Sequence, residues 1–377
     1  MQTARKKKIV FSIPSAVVGG IQTHLARQLR LFDSSRYEIS VIFMFSGGKE
    51  SFASIAPRHV SVYEFNFKNI YDIKSTKKLF HLLRQLNPDI VVTSVFDANT
   101  TFRLLRPFFG YVVLPRLHSL YLHQPLHVRI LDAFLALFTS TVIAVSEGVA
   151  DSASKRTWIS RTKFTVIPNG IDLTETEQFR KEHSDVDALK KELGFGTNDR
   201  IILHAGRLHP AKNLQLAIAS FAQFIEKTGD TTYVFVIVGE GGEKERLEQC
   251  VVEHAVQDRV IFTGLRRDTF KFYMIADMFL MTSIREGFPN VLLESMAFGV
   301  PFISTRVPGA TEAIQDGYNG FLADSTPESV SEKMVLLGGE LKEYKERYSA
   351  DCLRVAREYS MEVNVRRYEG VFEILKK

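Results

Sequence analysis

The chain has 377 residues, of which 45% are hydrophobic, 24% charged and 11% aromatic. This composition is close to the globular average and excludes a disordered or fibrous protein, and the length indicates two domains. Because the only cysteines, Cys250 and Cys352, lie far apart in sequence, neither a disulfide framework nor a zinc module is predicted, which favours a reducing compartment.

Charge is distributed unevenly along the chain. Residues 1–180 contain 23 Lys and Arg against 13 Asp and Glu, whereas the remainder contains 25 against 30. A basic half suits nucleic acid, an anionic membrane surface or a phosphorylated substrate, and charge alone does not choose among them. The longest apolar stretch, residues 130–145, is shorter than the roughly 20 residues that span a bilayer. We therefore expect no transmembrane segment and a cytoplasmic protein that can lie against the inner face of a membrane.

The first half of the chain alternates between strand-like and helix-like segments. Apolar runs predict strands, and apolar positions that repeat every three or four residues predict helices. Strands are predicted at residues 6–13, 37–45, 61–67, 89–95, 111–119 and 140–149, and helices at residues 21–32 and 75–86. Such alternation is typical of a parallel sheet with helices on both faces.

The alternation restarts after a charged linker near residues 175–198. Strands are predicted at residues 200–208, 232–241, 258–265 and 301–307, helices at residues 214–225, 243–254 and 268–280, and a helical C-terminus from about residue 342. We therefore expect an α/β fold of two facing Rossmann-like, doubly wound parallel-sheet domains with an interdomain cleft. The first domain would comprise residues 1–175, joined by a C-terminal helix at 356–377, and the second residues 176–355.

Gly19 and Gly20 separate the first strand from the first helix. Backbone without side chains can approach a ligand closely, and the start of a helix offers free N–H groups to an anion. A plain structural turn explains the pair equally well. The glycine patterns of dinucleotide-binding and P-loop proteins are not found in the chain.

Arg207 and Lys212 come one and six residues after the strand-like segment 201–206. At the end of a parallel strand both cations would point into a cleft. A guanidinium fork and an ammonium group together suit a diphosphate. Two solvated surface charges are the alternative.

The segment at residues 284–301 is the most distinctive of the chain. Glu286 and Glu294 are eight residues apart, and Gly287 and Pro289 predict a tight turn before a short helix that carries Glu294 one turn in. A helix N-terminus beside Glu286 forms an anion site that also offers a carboxylate to sugar hydroxyls. Capping or surface carboxylates are the alternative explanation.

This segment resembles the motif of two glutamates separated by seven residues in the retaining glycosyltransferases of family 4, which have the GT-B fold. Seven further segments are similar to counterparts in that family and follow in the same order. They lie at residues 19–29, 142–155, 166–172, 204–221, 236–248, 260–268 and 357–374. The likeness covers nearly the whole chain.

The resemblance implies a role for each matching residue. The implied catalytic set is His118, Arg207, Lys212 and Glu286. His118 would lie near the transferred sugar, although a lone histidine at a strand end more often has a structural role. Arg207 and Lys212 would neutralise the diphosphate leaving group. Glu286 would hold hydroxyls of the donor sugar.

The resemblance also implies a donor-binding set. Its members are Gly19, Gly20, Gly206, Arg207, Lys212, Gly239, Leu265, Glu286, Gly287, Phe288, Pro289, Asn290 and Glu294. Gly19 and Gly20 would lie beneath the distal phosphate, and Glu294 would bind the ribose hydroxyls. Residues 239–241, with Leu265 and Arg266, would border the base. Gln22 and His24 stand near the position where the family often has an acidic residue or asparagine, so donor contacts there are expected to differ.

The implied reaction is the transfer of a hexose from a nucleotide diphosphate sugar, a UDP-sugar in preference to a GDP-sugar, with retention. Cations and helix-end amides can stabilise the charge that develops on the diphosphate, so neither a cofactor nor a metal ion is expected. The only Asp-x-Asp, at Asp185 and Asp187, lies in the charged linker and is interpreted as solvated. We identify no carboxylate nucleophile for double displacement, which favours front-face attack assisted by the leaving phosphate.

The acceptor is expected to be a lipid-linked or cell-surface saccharide intermediate. The basic first half, and aromatic residues expected to be exposed near residues 65–71 and 102–111, suit an acceptor held at an anionic membrane face. A soluble acceptor is the alternative. The rival functions are a catalytically silent nucleotide or sugar binder, a GT-B nucleotide-sugar epimerase and a phosphorylase. A nucleic-acid partner is not expected, because no motif of that class occurs.

Overall fold

The computed structural model describes residues 5–48, 51–69, 72–121 and 124–375, with the side chains of all of these except residues 340–345. The chain divides into two compact units. The first comprises Met1–Gly170 and Met361–Lys377, and the second comprises Ile171–Ser360. The sequence-based division lay at 175/176, with the C-terminal helix returning from residue 356.

The first unit is built on a sheet of seven parallel strands. Its strands are β1 (Lys7–Ser15), β2 (Tyr37–Phe45), β3 (Ser61–Glu64), β4 (Ile90–Ser94), β5 (Val112–Leu117), β6 (Val142–Ala144) and β7 (Phe164–Val166). Its helices up to this point are α1 (Gly20–Leu31), α2 (Ile73–Leu86), α3 (Phe96–Leu105), α4 (Leu126–Leu135) and α5 (Glu147–Thr157). The strand order is β3-β2-β1-β4-β5-β6-β7, so the chain reverses its progress across the sheet between β1 and β4.

The second unit repeats this plan with six parallel strands. Its strands are β8 (Arg200–Ala205), β9 (Tyr233–Val238), β10 (Val260–Gly264), β11 (Ala276–Met281), β12 (Phe302–Thr305) and β13 (Gly320–Ala323). Its helices are α6 (Leu173–Glu182), α7 (Val186–Glu192), α8 (Leu214–Thr228), α9 (Lys244–Glu253), α10 (Thr269–Ile275), α11 (Asn290–Ala297), α12 (Ala310–Ala313) and α13 (Pro327–Glu358). The order β10-β9-β8-β11-β12-β13 reverses between β8 and β11. The predicted α/β fold with two doubly wound parallel sheets is therefore confirmed.

The last helix, α14 (Met361–Ile374), returns to the first unit. Its Phe372 ring stacks on Phe32 of the α1 end at 6.0 Å, and Tyr368 lies 6.5 Å from Phe11 of β1. These rings are buried together with the apolar residues of the sheet. The C-terminal helix is thus part of the first unit's hydrophobic core.

Two element predictions are wrong. The predicted helix at residues 268–280 ends at Ile275, and the next residues form β11 in the middle of the second sheet. The prediction fails because a short apolar run fits a buried strand as well as a helix. In the structure this strand is joined to β8, where the Ile201 N–H donates a hydrogen bond to the Asp277 carboxylate at 2.8 Å. The C-terminal helical region begins at Pro327, not near residue 342, after Thr326 caps it.

The expectation of exposed aromatic residues in the first unit is also wrong for most of the described positions. Phe67, Phe102 and Tyr111 are buried, and only Phe108 is strongly exposed among the described members of those two stretches. Residues 70 and 71 lie outside the described residues. Within the described part of the chain, no helix combines the length and apolar character needed to cross a membrane.

Candidate functional site

The two loops that follow β8 and β11 meet at the switch point of the second sheet. β8 and β11 are neighbours, so the loops that follow them leave the same edge of the sheet side by side. The Thr282 hydroxyl donates to the carbonyl groups of Lys212 at 3.1 Å and Asn213 at 2.9 Å. The Ile284 N–H donates to the Ala211 carbonyl at 2.9 Å. These bonds fix the backbone that carries Lys212 beside the backbone that carries Glu286.

Lys212 and Glu286 form an ion pair at this point. The Lys212 Nζ atom lies 2.5 Å from Glu286 Oε1, and both side chains are largely buried, at 22% and 18% exposure. The Ser283 hydroxyl donates to the same oxygen at 3.0 Å. Glu286 Oε2 accepts no hydrogen bond from the residues that the structure describes. Two residues predicted from distant motifs thus meet, and one carboxylate oxygen is left for a further donor.

Gly206 lies beside the Lys212 side chain. A Cβ atom added at Gly206 would lie 3.6 Å from Lys212 Cε, and its φ of 155° belongs to a region that side chains rarely adopt. Arg207, the next residue, is exposed. Its guanidinium makes no hydrogen bond or ion pair with any residue in the described ranges. The loop therefore carries two cations: Lys212, which is held by Glu286, and Arg207, whose N–H groups can bind a ligand.

His204 is a buried residue of this region that the sequence analysis did not identify. Its Nδ1 lies 3.1 Å from the Leu280 carbonyl. Burial, with a smaller contribution from the charge of Lys212, lowers its pKa to about 4. The ring is therefore neutral near pH 7, and facing a carbonyl it carries its proton on Nδ1. Its Nε2, also buried, has no partner in the described structure and lies on the side of Gly206.

Gly239 allows the neighbouring strand end to approach the β8 loop. It follows β9 with a φ of 145°, and an added Cβ would lie 1.9 Å from the Gly206 carbonyl oxygen. Gly241 is similar, since its Cβ would lie 2.1 Å from the Leu208 oxygen. Backbone contact this close requires glycine at both positions. Leu265, which follows β10, is exposed.

Arg266, the other predicted neighbour of the base, is engaged elsewhere. Its guanidinium makes two hydrogen bonds with the Asp268 carboxylate, at 2.8 and 2.7 Å. It also lies over the Phe272 ring, with its central carbon 5.3 Å from the ring centroid. The structure therefore gives Arg266 a local structural partner within its own turn.

Residues 287–290 form the turn that leads into α11. Pro289 is the N-cap position, and Asn290 is the first helical residue. Phe288 is buried against the Tyr359 ring at 5.2 Å. Gly309 has a φ of 78°, and a Cβ added there would lie 2.5 Å from the Gly287 carbonyl oxygen. The backbone of Gly309 therefore packs directly against this turn. The start of α11 therefore has a fixed position directly after Glu286.

Glu294 lies on α11 and is oriented by a buried tyrosine. The Tyr273 hydroxyl donates to Glu294 Oε2 at 2.9 Å. Burial and the negative charge of Glu294 raise the pKa of Tyr273 well above its ordinary value, so the phenol keeps the proton that it donates. The Tyr273 ring is itself stacked between Phe279 and Phe298. The sequence pattern does not identify Tyr273, because it predicts one long helix over residues 268–280 in which Tyr273 is an apolar position.

The first unit contains the other predicted site residues. Gly19 is the N-cap of α1 and Gly20 its first residue. An added Cβ at Gly20 would meet no atom of the described residues within 4 Å, so the packing of the unit does not require glycine there. Gln22 donates to the Ser15 carbonyl at 2.9 Å and so closes the turn before α1.

His118 follows β5 and is half-buried. Burial, then the charges of Arg116 and His24, lower the pKa of His118 well below its ordinary value. Its Nε2 is buried without a partner among the described residues. Arg116 donates to Asn169 Oδ1 at 2.9 Å, and the Gly170 N–H donates to His24 Nε2 at 3.0 Å. His118 is thus a neutral ring whose unused nitrogen can bind a hydroxyl.

The Asp-x-Asp in the linker has a structural role in the structure. The Asp185 carboxylate accepts a hydrogen bond from the Ala188 N–H at 2.9 Å and so caps α7. Among the described residues, no group of three or more His, Cys, Asp or Glu side chains is arranged to hold a metal ion.

Two family models match the chain. The model described as Glycosyltransferase Family 4 matches residues 18–175, and the one described as Glycosyl transferases group 1 matches residues 185–348. Together they cover most of the first unit and both switch-point loops of the second unit.

One curated protein and a solved structure are similar over most of the chain, and a second curated protein is similar over less than half of it. UDP-Gal:alpha-D-GlcNAc-diphosphoundecaprenol alpha-1,3-galactosyltransferase of Escherichia coli is 27% identical over 85% of each protein. N-acetyl-alpha-D-glucosaminyl L-malate synthase of Bacillus anthracis is 32% identical over 46% of this chain and 45% of that protein. The crystal structure of Anabaena HepE with UDP-glucose superposes with a TM-score of 0.83 at 21% identity and covers 98% of this chain and 100% of that one.

Proposed function

The chain belongs to glycosyltransferase family 4 and has the GT-B fold, and on this basis we propose its reaction. It transfers a hexose from a nucleotide diphosphate sugar, a UDP-sugar in preference to a GDP-sugar, to an acceptor hydroxyl with retention at the anomeric carbon. The acceptor is a saccharide carried on a lipid diphosphate. The observation that carries the proposal is the 2.5 Å contact between Lys212 Nζ and Glu286 Oε1 at the switch point of the second unit.

Lys212 and Arg207 stabilise the leaving diphosphate. The Lys212 ammonium directs one N–H to Glu286 and has two more for phosphate oxygens. The Arg207 guanidinium adds a planar fork of donors that matches a phosphate. Preorganised cations of this kind act where negative charge develops in the transition state. The proposed reaction therefore uses no metal ion and no cofactor.

The two glutamates of the motif hold the donor at two points. Glu286 Oε1 already accepts hydrogen bonds from Lys212 and Ser283, and Oε2 accepts a hydrogen bond from a hydroxyl of the donor sugar. Glu294, which is oriented by the Tyr273 hydroxyl, accepts hydrogen bonds from the ribose hydroxyls. The amides at residues 287–290, where α11 begins, lie near the sugar or phosphate. Gly20 leaves space for the distal phosphate at the start of α1.

The bond changes take place on one face of the sugar. The bond between the anomeric carbon and the phosphate oxygen breaks, and its electron pair stays on the diphosphate. The acceptor oxygen bonds to the anomeric carbon from the same face, and its proton passes to the departing phosphate oxygen. His118 is neutral, and its Nε2, which has no partner among the described residues, accepts a hydrogen bond from a hydroxyl of the transferred sugar and orients it.

The choice of donor and acceptor rests on the named relatives. The Escherichia coli protein, similar over 85% of its length, uses by name a UDP-sugar and an acceptor on diphosphoundecaprenol. The Anabaena structure contains UDP-glucose. The Bacillus anthracis relative, whose name indicates the soluble acceptor malate, aligns with less than half of this chain. A soluble acceptor is therefore the second option.

Thermal stabilisation by nucleotides tests the donor part of the proposal. A ligand that binds only the folded state raises the melting temperature in proportion to the logarithm of its concentration over Kd. We expect UDP to raise the melting temperature of the wild-type protein more than GDP or ADP, and we expect Glu294→Ala to lose this response. No response to any of the three nucleotides would instead favour a silent protein that does not bind such donors.

A further inference from the structure

Helix α4 turns its apolar face away from the protein. Leu126, Ile130 and Phe134 are spaced four residues apart on the helix, and Leu137 follows in the next turn. All four side chains are between 53% and 73% exposed. A surface helix of a globular protein normally directs such a stripe to the core. An outward stripe of this length marks an interaction surface.

The inner side of α4 is held by polar contacts. Only Asp132 and Leu135 of this helix are buried. The Asp132 carboxylate forms a buried ion pair with Arg103 of α3, and the Tyr121 hydroxyl donates to its other oxygen. The side chains between α4 and the sheet also leave a small cavity. The ion pair therefore orients the helix, and it does so with the apolar stripe facing solvent.

Basic and aromatic side chains border the stripe. The Arg129 guanidinium of α4 lies 4.8 Å from the centre of the Trp158 ring and donates to the Arg156 carbonyl. Trp158 is 63% exposed, and Lys155 beside it is exposed as well. Tryptophan and basic side chains favour the headgroup region of a bilayer, where an apolar body and a polar end are both accommodated.

The charge of the whole unit matches this border. Met1–Gly170 and Met361–Lys377 together contain 26 Lys and Arg against 13 Asp and Glu. Such an excess attracts a protein to a surface of anionic lipids.

We propose that the stripe of Leu126, Ile130, Phe134 and Leu137, with Trp158 and Arg129 at its border, is the surface by which the protein binds an anionic lipid bilayer. The stripe enters the boundary between headgroups and acyl chains, as an amphipathic helix lying in the interface does. The inference deepens the proposed function, because a bilayer is where an acceptor carried on a lipid diphosphate is found.

The single tryptophan of the chain provides a direct test. Vesicles of phosphatidylglycerol and phosphatidylethanolamine, and vesicles of phosphatidylcholine alone, are added to the wild-type protein. We expect a blue shift of Trp158 emission and quenching by brominated acyl chains with the anionic vesicles, and weaker effects with the neutral ones. Unchanged emission with anionic vesicles would overturn the proposal.

Variants locate the surface. Ile130→Glu and Phe134→Glu should each weaken sedimentation with anionic vesicles by about tenfold or more, because each removes a large apolar side chain from the buried face. The matched control is Val252→Glu on α9 of the other unit, where Val252 is 65% exposed. Equal losses in the control, or none in the α4 variants, would contradict the proposal. A concentration-dependent dimer that the α4 variants abolish, without vesicle binding, would assign the stripe to self-association instead.

The vesicles contain neither donor nor acceptor, so this test is separate from the test of the reaction. Vesicle binding without any sugar transfer would leave the surface assignment standing and remove the proposed function. Sugar transfer to a detergent-dispersed acceptor without vesicle binding would do the reverse.

Discussion

The Nζ atom of Lys212 lies 2.5 Å from Oε1 of Glu286, although the two residues are 74 positions apart in sequence. Parallel pairing of β8 with β11 brings the two loops to one edge of the sheet, and the Thr282 hydroxyl then joins their backbones. A cation and a carboxylate placed side by side in this way can bind the phosphate and the sugar of one ligand.

Replacing Lys212 with Ala should reduce turnover at saturating donor by about a hundredfold or more, because the leaving diphosphate loses a preorganised cation. Stability should fall proportionally less than turnover, because the Glu286 carboxylate keeps the hydrogen bond from Ser283 and some solvent contact after its largely buried partner is removed. Steady-state kinetics and a melting curve on the same preparation measure both. Lys244→Ala, which removes an exposed pair with Glu248, is the control. Parallel losses of activity and stability in the Lys212 variant would indicate a structural lysine.

Replacing Glu294 with Gln should weaken the binding of free UDP by about tenfold, since hydrogen bonds to a charged group are stronger than those to a neutral amide. Tyr273→Phe should act in the same direction with a smaller effect, because it removes only the 2.9 Å bond that orients Glu294. Calorimetric titration gives the affinities. If both variants bind UDP as the wild type does, Glu294 has no role at the ribose.

Stability should fall as the pH is lowered from about 6.5, because buried histidines are neutral in the folded protein. The pKa is about 3 for His24 and about 4 for His204, against 6.5 in the unfolded chain. The unfolded state therefore takes up protons first, and each ring costs about 1.4 kcal/mol per pH unit within its window. The contribution is complete above pH 6.5 and is lost as the pH falls towards these folded-state values.

Urea unfolding at pH 7 and pH 5 measures this dependence. His24→Gln should reduce the slope of unfolding free energy against pH, even though it also removes the ring that accepts the Gly170 N–H. An unchanged slope in this variant would mean that the pKa of His24 is the same in the folded and unfolded states.

Replacing Gly20 with Ala should separate donor binding from folding. The added Cβ meets no described atom within 4 Å, so the melting temperature should stay the same or rise, as it does when alanine replaces glycine in a helix. If the distal phosphate occupies this space, kcat/KM for the donor should fall about tenfold, or about 1.4 kcal/mol. Gly370→Ala in α14, where the Cβ is equally unhindered, should leave kcat/KM unchanged. Full activity in the Gly20 variant would show that no donor group comes close.

Much of the fold could be predicted because hydrophobic periodicity and turn residues carry it. Both sheets and most strands follow from local pattern, and the family was identified from its ordered motifs. β11 could not be distinguished in this way, since residues 276–281 are apolar except for Asp277 and join α10 without a glycine or proline between them. Only its place between β8 and β12 determines that it is a strand.

Sequence patterns single out the charged residues of the candidate site but not the residues that support them. Glu286, Glu294 and Lys212 stand in recognisable spacings, whereas Tyr273 and His204 act through partners that only packing supplies. The outward stripe of α4 was missed for a related reason. The spacing of its apolar residues predicts an amphipathic helix. This spacing does not show that the face carrying Asp132, which pairs with Arg103, is the one that lies against the protein.

The most direct test of the proposed reaction is the product formed from UDP-hexoses and an N-acetylglucosamine carried on a short-chain lipid diphosphate. We predict that one UDP-hexose with an α-linked sugar gives acceptor-dependent release of UDP, and that proton NMR of the product shows a single new α-linkage. A β-linked product would contradict retention. No release of UDP from any of the common UDP-hexoses, and no release of GDP from the corresponding GDP-sugars, would contradict the assignment of the protein as a hexosyltransferase.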